Sequence, residues 1–282
     1  MIIFHGNDRF AYRDPACIFH GGTYYLFFTY SEKDGEYMYN RIGMSKSTDL
    51  KEWTDVRILT PRDYNLNYCS PGNIFPDGDE FVMCFTSYPM PYSFNKWHCA
   101  DESARLFTVR TKDFEVFTEP ELLNPKGDMP QEEIGRMIDP FIIREGEYWY
   151  IFFKQNGVSL SRSKDLKFWE FMGSAKAGEN ACVLKKDGEF ILVHSPKNGI
   201  AFARSKDMKS WEQFSHTTLG KDKEEWAKRR VTAGFVMEAG ENIGHKYIMF
   251  YHGSRDVYPE THGNSSLAIA FTDDFITFSD EL

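Results

Sequence analysis

The sequence predicts an all-β chain wound into a five-bladed β-propeller, with its active site at the mouth of the central channel. Three observations predict it. A closing phrase, Ser/Thr-x-Asp-apolar-x-x-aromatic, recurs five times, at Asp49, Asp113, Asp165, Asp207 and Asp274. An apolar hairpin precedes each copy. Helix signals are weak throughout, while β-branched and aromatic residues fill the hairpins. Self-similarity at roughly blade length marks a solenoid or a propeller.

The blades fall at 8–55, 65–120, 134–172, 175–214 and 228–280, all within one catalytic domain, 1–282. The first holds RDPACIF and TYYLFFTY, joined by Gly21-Gly22. The second holds SPGNIF and FVMCFTSY around DGDE, the third IDPFII and YWYIFFK around EGE. The fourth reads ENACVLKKDGEFILVHS, and the fifth TAGFVM and YIMFYHG across the longer turn EAGENIGH. Such Gly- and Asp-bearing junctions suit hairpin turns. The links 56–66 and 119–134 are polar and carry Pro or Gly, as loops do. Residues 221–230 could make one or two helical turns. In the closing phrase the Asp is expected to bond nearby backbone and the aromatic to plug the gap between blades, a structural role.

Superposing the hairpins aligns Asp14, Ser70, Asp139, Glu179 and Thr232 as the openers of the inner strands. Fifteen residues on from the first four stand Thr29, Phe85, Lys154 and His194; His252 is the fifth counterpart, at an offset of twenty. In an antiparallel pair the start of one strand faces the end of the next. Asp14 is therefore expected beside Thr29, Asp139 beside Lys154, and Glu179 beside His194. Inner strands line a propeller's channel, so the openers form a ring carrying three carboxylates. Mutual repulsion requires at least one of them to hold a proton near neutral pH. A protonated acid beside an ionised base is the pair that glycoside hydrolysis needs.

Composition narrows the alternatives. The 282 residues carry a net charge of −9 with no basic stripe, which argues against a nucleic-acid partner. Aromatic content of 16% suits strands and a sugar-stacking pocket. No run reaches the length of a membrane span, and no signal segment opens the chain, so a cytoplasmic location is expected. Five cysteines without a CxxC pair predict neither disulfides nor a zinc site. Phosphate-loop, nucleophile-elbow, zinc-protease, dinucleotide and EF-hand patterns are missing in usable context.

RDPACIFHGGTYYLFFT, MIDPFIIREGEYWYIFF and GENACVLKKDGEFILVHS, with the terminal FYHG and the repeated S-x-D-L-x-x-W, resemble glycoside hydrolase family 43 over nearly the whole chain. The resemblance implies an inverting hydrolase of β-D-xylosides or α-L-arabinofuranosides that requires no cofactor. Asp14 would be the general base, Glu179 the general acid, and Asp139 the residue that orients Glu179 and favours its protonated form. Inversion requires roughly 6.5–9.5 Å between acid and base carboxyls. The resemblance also implies that His252 faces a channel where some members hold a structural calcium through water.

The sequence departs from that family at three places. Asn180-Ala181 follows the acid where Gly-Pro is usual, Ser70-Pro71-Gly72-Asn73 opens the second blade, and Arg13 precedes the first Asp-Pro in the manner of fructosidases. Fructosidase-type and agaro-oligosaccharide-type hydrolases share the propeller and remain alternatives. So does a non-catalytic sugar-binding propeller. Arg13, Ser70, Lys154, His194, Arg230 and Thr232 are the expected substrate-binding residues, with Arg229 as the other arginine before the fifth inner strand. A small oligosaccharide is the expected partner, taken in exo fashion into a pocket; no nucleic acid or membrane is expected, and the oligomeric state is left open.

Overall fold

The computed structural model of the chain describes residues 1–94, 101–219, 225–256 and 261–282. Cys99 and residues 221–224 lie outside the described residues. Five antiparallel sheets form the five expected blades. The blades start from inner strands Phe10–His20, Asn67–Asp77, Ile138–Glu145, Glu179–Lys186 and Arg230–Glu238. One feature differs from expectation. Ile2–Phe4 pairs with Ser266–Thr272 and supplies the outer strand of the last blade, so the two ends of the chain close the ring. Three residues are too few for their alternation to be read from sequence. Residues Glu225–Ala227 form a single 3-10 turn where one or two helical turns were expected. No helix among the described residues is long and apolar enough to cross a membrane.

The closing phrases behave as their composition dictates. Asp49 Oδ1 accepts the N–H groups of Lys51 and Glu52 at 2.9 Å, and Asp113, Asp165, Asp207 and Asp274 repeat the pattern. These bonds, backbone N–H first, hold all five carboxyls below the ordinary aspartate range. The aromatic that ends each phrase leans on the preceding blade. Trp53 meets Phe250, Phe117 meets Phe27, Trp211 meets Phe152, and Phe278 meets Phe202, with ring centroids 5.8–6.3 Å apart. Trp169 joins Val82 and Cys84 of the second blade in one buried cluster. The core thus lies between blades, where fully buried Phe27, Phe28, Phe152, Phe202 and Phe250 sit. Cys17, Cys69, Cys84 and Cys182 are buried free thiols.

The inner strands share a second device. Each pairing register shifts near its start, between Arg13 and Ala16, Cys69 and Asn73, Ile138 and Phe141, Glu179 and Cys182, and Thr232 and Phe235. Such a bulge bends the strand and re-aims a side chain. The bulged residue is left-handed in all five: Asp14, Ser70, Asp139, Asn180 and Ala233, with φ between 46° and 55°. That conformation is costly for residues with a Cβ, so something must hold it.

The holder is the neighbouring blade. Ser70 N–H donates to Thr29 Oγ1 at 2.7 Å, Asp139 N–H to Thr86 Oγ1 at 3.0 Å, Ala233 N–H to Ser195 Oγ at 2.7 Å, and Asp14 N–H to His252 Nδ1 at 3.0 Å. Each acceptor lies on the second strand of the preceding blade, and the last bond closes the circle. Only at the fourth blade does the acceptor change. Lys154 stands there, a pure donor, and Asn180 N–H goes instead to Asp139 Oδ2 at 3.2 Å.

This register corrects the alignment of the openers. Glu179 faces Ser195, not His194; Thr86, not Phe85, holds the equivalent place in blade two; and Lys154 faces Ile138. Glu179 and Thr232 therefore occupy the position of Arg13, one residue before the bulge. The bulge is common to all five strands; the slip comes from matching Glu179 by residue type to Asp14 and Asp139, which sit at the bulge where blade four has Asn180.

Ser195→Ala strands the Ala233 N–H and is expected to cost about 1–3 kcal/mol. Lys154→Ala removes no ring bond and should cost less. Urea denaturation of the two variants tests this; equal losses would contradict the proposed holding role.

Candidate active site

The ring of bulges has a narrow side and a wide side. Pro15, Pro71, Pro140, Ala181 and Gly234 crowd the axis below it and leave only about 20 Å³. Gly72 is obligatory there, because a Cβ would sit 1.3 Å from Pro140 O. The channel is narrowest there. Above the ring lies a cavity of about 210 Å³. It is smaller than the roughly 300–1,000 Å³ of drug-sized pockets, and it suits one sugar unit better than a threaded chain.

Asp14, Asp139 and Glu179 all line this cavity, with Arg13, Ser70, Arg230, Thr232 and His252. Although Glu179 starts one residue earlier than the two aspartates, its longer side chain reaches the same space. Lys154 and His194 do not line it. His194 instead accepts the Gly178 N–H on Nδ1 at 3.0 Å, fixing the backbone just before Glu179. Burial, then His216 and Lys154, lower His194 to about 4, so it is neutral. Gly178 itself is forced, since a Cβ would lie 1.8 Å from Ser195 O. Glu179 is thus clamped on both sides, through Gly178 to His194 and through Asn180 to Asp139.

The three carboxyls live in different electrostatic settings. Burial alone would raise Asp14, but neighbours led by Arg13 outweigh it and hold the carboxyl below its ordinary range. Thr29 Oγ1 donates to Asp14 Oδ2 at 2.9 Å, as the hairpin alignment anticipated. Asp139 is only 5% exposed. Burial first, then the charges of Glu179 and Asp14, push it up to about 7. The proton expected on the ring is therefore held at Asp139. Glu179 is the most accessible of the three at 33% side-chain exposure, and its Oε1 accepts from Arg230 Nη2 at 3.0 Å. Thr232 Oγ1 and Arg230 Nε are buried without hydrogen-bond partners among the described residues. Orphan polar atoms at a cavity wall suit the hydroxyls of a sugar.

The calcium expected beside His252 does not fit these residues. Burial first, against the pull of Asp14, lowers His252 to about 3, so the ring is neutral. Its Nδ1 accepts the Asp14 N–H, which leaves Nε2 as a donor. A calcium-bound water presents hydrogens and needs an acceptor. Among the described residues no cluster of three or more His, Cys, Asp or Glu is arranged to hold a metal.

Sequence reasoning missed Met38, Asn40, Cys69, Tyr88, Met90, Tyr92, Arg136, Ile138 and Asn180, which complete the lining. Met38 and Asn40 come from the third strand of blade one, and Tyr92–Ser93 pairs beside them after crossing from blade two. No repeat period announces such a crossing. Arg136, three residues before Asp139, was the one legible signal.

The raised Asp139 carries a stability consequence. The folded chain binds this proton more tightly than the unfolded chain, so stability falls as pH rises from about 4 toward 7. Asp139→Asn removes the penalty while keeping an acceptor for Asn180 N–H. Its melting temperature should gain on the wild type steadily across that window. A gap that is constant from pH 4 to pH 8 would contradict the assignment.

Comparison with known proteins agrees with this architecture. A family 117 glycoside hydrolase of the marine bacterium Zobellia galactanivorans superposes with a TM-score of 0.70 at 15% identity, covering 94% of this chain and 85% of its own. The catalytic domain of a family 62 α-L-arabinofuranosidase from Coprinopsis cinerea gives 0.68 at 12% identity, covering 95% and 94%. A family 32 β-fructofuranosidase from Bombyx mori gives 0.64 at 16% identity, covering 95% of this chain and 61% of that one. At such identities the likeness is one of fold. No curated protein matches the sequence. The motifs resembled family 43, and a thermostable family 43 hydrolase shares the fold with a TM-score of 0.61. The family model that matches is a different one, that of the glycosyl hydrolases family 32 N-terminal domain, over residues 12–185. With more than half of its length matched and its blades closed around three carboxylates, this chain is a glycoside hydrolase that belongs to the glycosyl hydrolases family 32 N-terminal domain family.

Proposed function

We propose that the pocket binds the terminal sugar of a short oligosaccharide and hydrolyses its glycosidic bond, with Glu179 as proton donor and Asp14 as the ionised carboxylate that activates water. The observation that carries this reading is the meeting of three carboxyls at one cavity: Asp14 held ionised, Asp139 pushed up to about 7 and buried, and Glu179 the most accessible of the three. Carboxyls driven apart by their settings are the mark of acid–base assignment. Asp139 is too buried to meet a leaving group, and its Oδ2 is engaged by Asn180 N–H. It serves as the residue that positions Glu179. Donation by Glu179 requires its contact with Arg230 to open, which ties the acid to what enters the pocket.

Single displacement of a xyloside or arabinofuranoside is the first reading of the substrate. A β-fructoside is the second, favoured by the family match over residues 12–185 and by Arg13 ahead of Asp14. A panel of nitrophenyl pyranosides and furanosides with fructo-oligosaccharides separates the two, and the anomeric form of the first product separates single from double displacement. Sugar binding without turnover anywhere in the panel would favour a non-catalytic propeller.

The roles predict distinct kinetics. Glu179→Ala should lose about 10²–10⁴-fold in kcat/KM on substrates with poor leaving groups. The loss should shrink on activated aryl glycosides, which depart without protonation. Asp14→Ala should damage both kinds alike, and external azide should rescue it better than Glu179→Ala. A uniform loss for Glu179→Ala with a selective loss for Asp14→Ala would reverse the assignment.

A further inference from the structure

The polar side chains at and beside the bulges fall into two groups. In blades one to three those at the bulge are answered within the fold. Asp14 accepts from Thr29 Oγ1 at 2.9 Å and from Ser70 Oγ at 3.4 Å, and Asp139 accepts the Asn180 N–H at 3.2 Å. Blades four and five carry two that are not. Thr232, 1% exposed, has an Oγ1 without a hydrogen-bond partner among the described residues. Asn180 has a bonded backbone N–H, but its side-chain amide has no partner there either. Both residues line the cavity.

Thr232 cannot turn away to find a partner. Its backbone is pinned on both sides, since Val231 N–H donates to Asn198 Oδ1 at 3.2 Å and Ala233 N–H to Ser195 Oγ at 2.7 Å. Its β-branched side chain is also stiff at χ1. The residue stands between the two working carboxyls. Strand alternation puts it on the face of Arg230, whose Nη2 donates to Glu179 at 3.0 Å. Its cross-strand partner is His252, which accepts the Asp14 N–H. A buried hydroxyl with no partner is a cost to the fold that calls for an explanation. The amide of Asn180 is likewise not required by the backbone. Ala233 adopts the same φ of 55° at the bulge of blade five.

We propose that Thr232 and Asn180 are specificity-determining residues that read hydroxyl groups of the sugar in the pocket, the buried Thr232 more strictly than the half-buried Asn180. This deepens the hydrolase reading and rests on it. A site built to bond a hydroxyl rejects the analogue that lacks it, because its own buried groups stay unpaired. The test takes the nitrophenyl glycoside that is hydrolysed fastest and its monodeoxy derivatives, each missing one ring hydroxyl. One derivative should fall by about tenfold to hundredfold in kcat/KM. Thr232→Val should fall equally on the parent and lose the discrimination against that derivative, while its melting temperature rises because an unanswered buried hydroxyl is gone. Asn180→Ala, which copies the residue at the bulge of blade five, should flatten the discrimination at a different hydroxyl by a smaller factor. Derivatives all hydrolysed as fast as the parent, discrimination that survives both variants, or a melting temperature that falls in Thr232→Val would overturn the proposal. If no glycoside is hydrolysed, the hydrolase reading fails by itself. Calorimetry with free xylose, arabinose and fructose then decides whether hydroxyls are read: binding weakened in Thr232→Val supports it, and binding that is unchanged or missing overturns it.

Discussion

Everything in this molecule hangs on five backbone N–H groups at the bulges of the inner strands. Each belongs to a left-handed residue that a β-strand would not adopt unaided. In four of the five a hydroxyl or imidazole of the preceding blade accepts it, and the last bond joins blade five to blade one. Strain and inter-blade adhesion are settled by the same contacts. A buried N–H left without a partner costs about 1–3 kcal/mol in desolvation, so the blades cannot slip past one another without stranding one. The ring of bulges is therefore also the rigid frame on which the chemistry is mounted.

The exception in that frame falls at the chemical centre. With Lys154 unable to accept, Asp139 takes the Asn180 N–H, and a carboxyl that lines the pocket becomes part of the scaffold. That bond ties Asp139 to the residue after Glu179, while His194 ties the residue before it. The same close packing that narrows the channel also desolvates Asp139, which with the charges of Glu179 and Asp14 pushes it up to about 7. Asp14, two blades over, escapes that fate because neighbours led by Arg13 answer its charge and the Thr29 hydroxyl donates to it. Position, protonation and narrowing of the channel thus follow from one packing arrangement.

Much of this was legible in the sequence. Five Asp-bearing phrases and five apolar hairpins give the blade count, and Asp14 beside Thr29 follows from hairpin length alone. The acids were also correctly gathered into one cavity. Their alignment was off by one for Glu179, because its carboxyl invites matching with Asp14 and Asp139 while the bulge position of blade four is held by Asn180. Ile2–Phe4 was too short to reveal its alternation, and it is paired only through ring closure. Tyr88, Tyr92 and Met38 meet at the pocket through a crossing between blades, which no periodicity encodes. His194 was read as facing the sugar, yet the single residue between Gly178 and Asn180 turns it into a backbone clamp. Local chemistry is visible in a sequence; register set by backbone hydrogen bonding is visible only once the sheets are formed.

The central claim is that one packing arrangement drives two aspartates of the same ring to opposite protonation behaviour. Carboxyl carbon NMR on selectively labelled protein, titrated from acid to alkaline pH, tests it without substrate or mutation. The account predicts that Asp139 titrates near 7 while Asp14 titrates below the ordinary aspartate value. Both carboxyls titrating together near the unperturbed value of about 3.9 would contradict it.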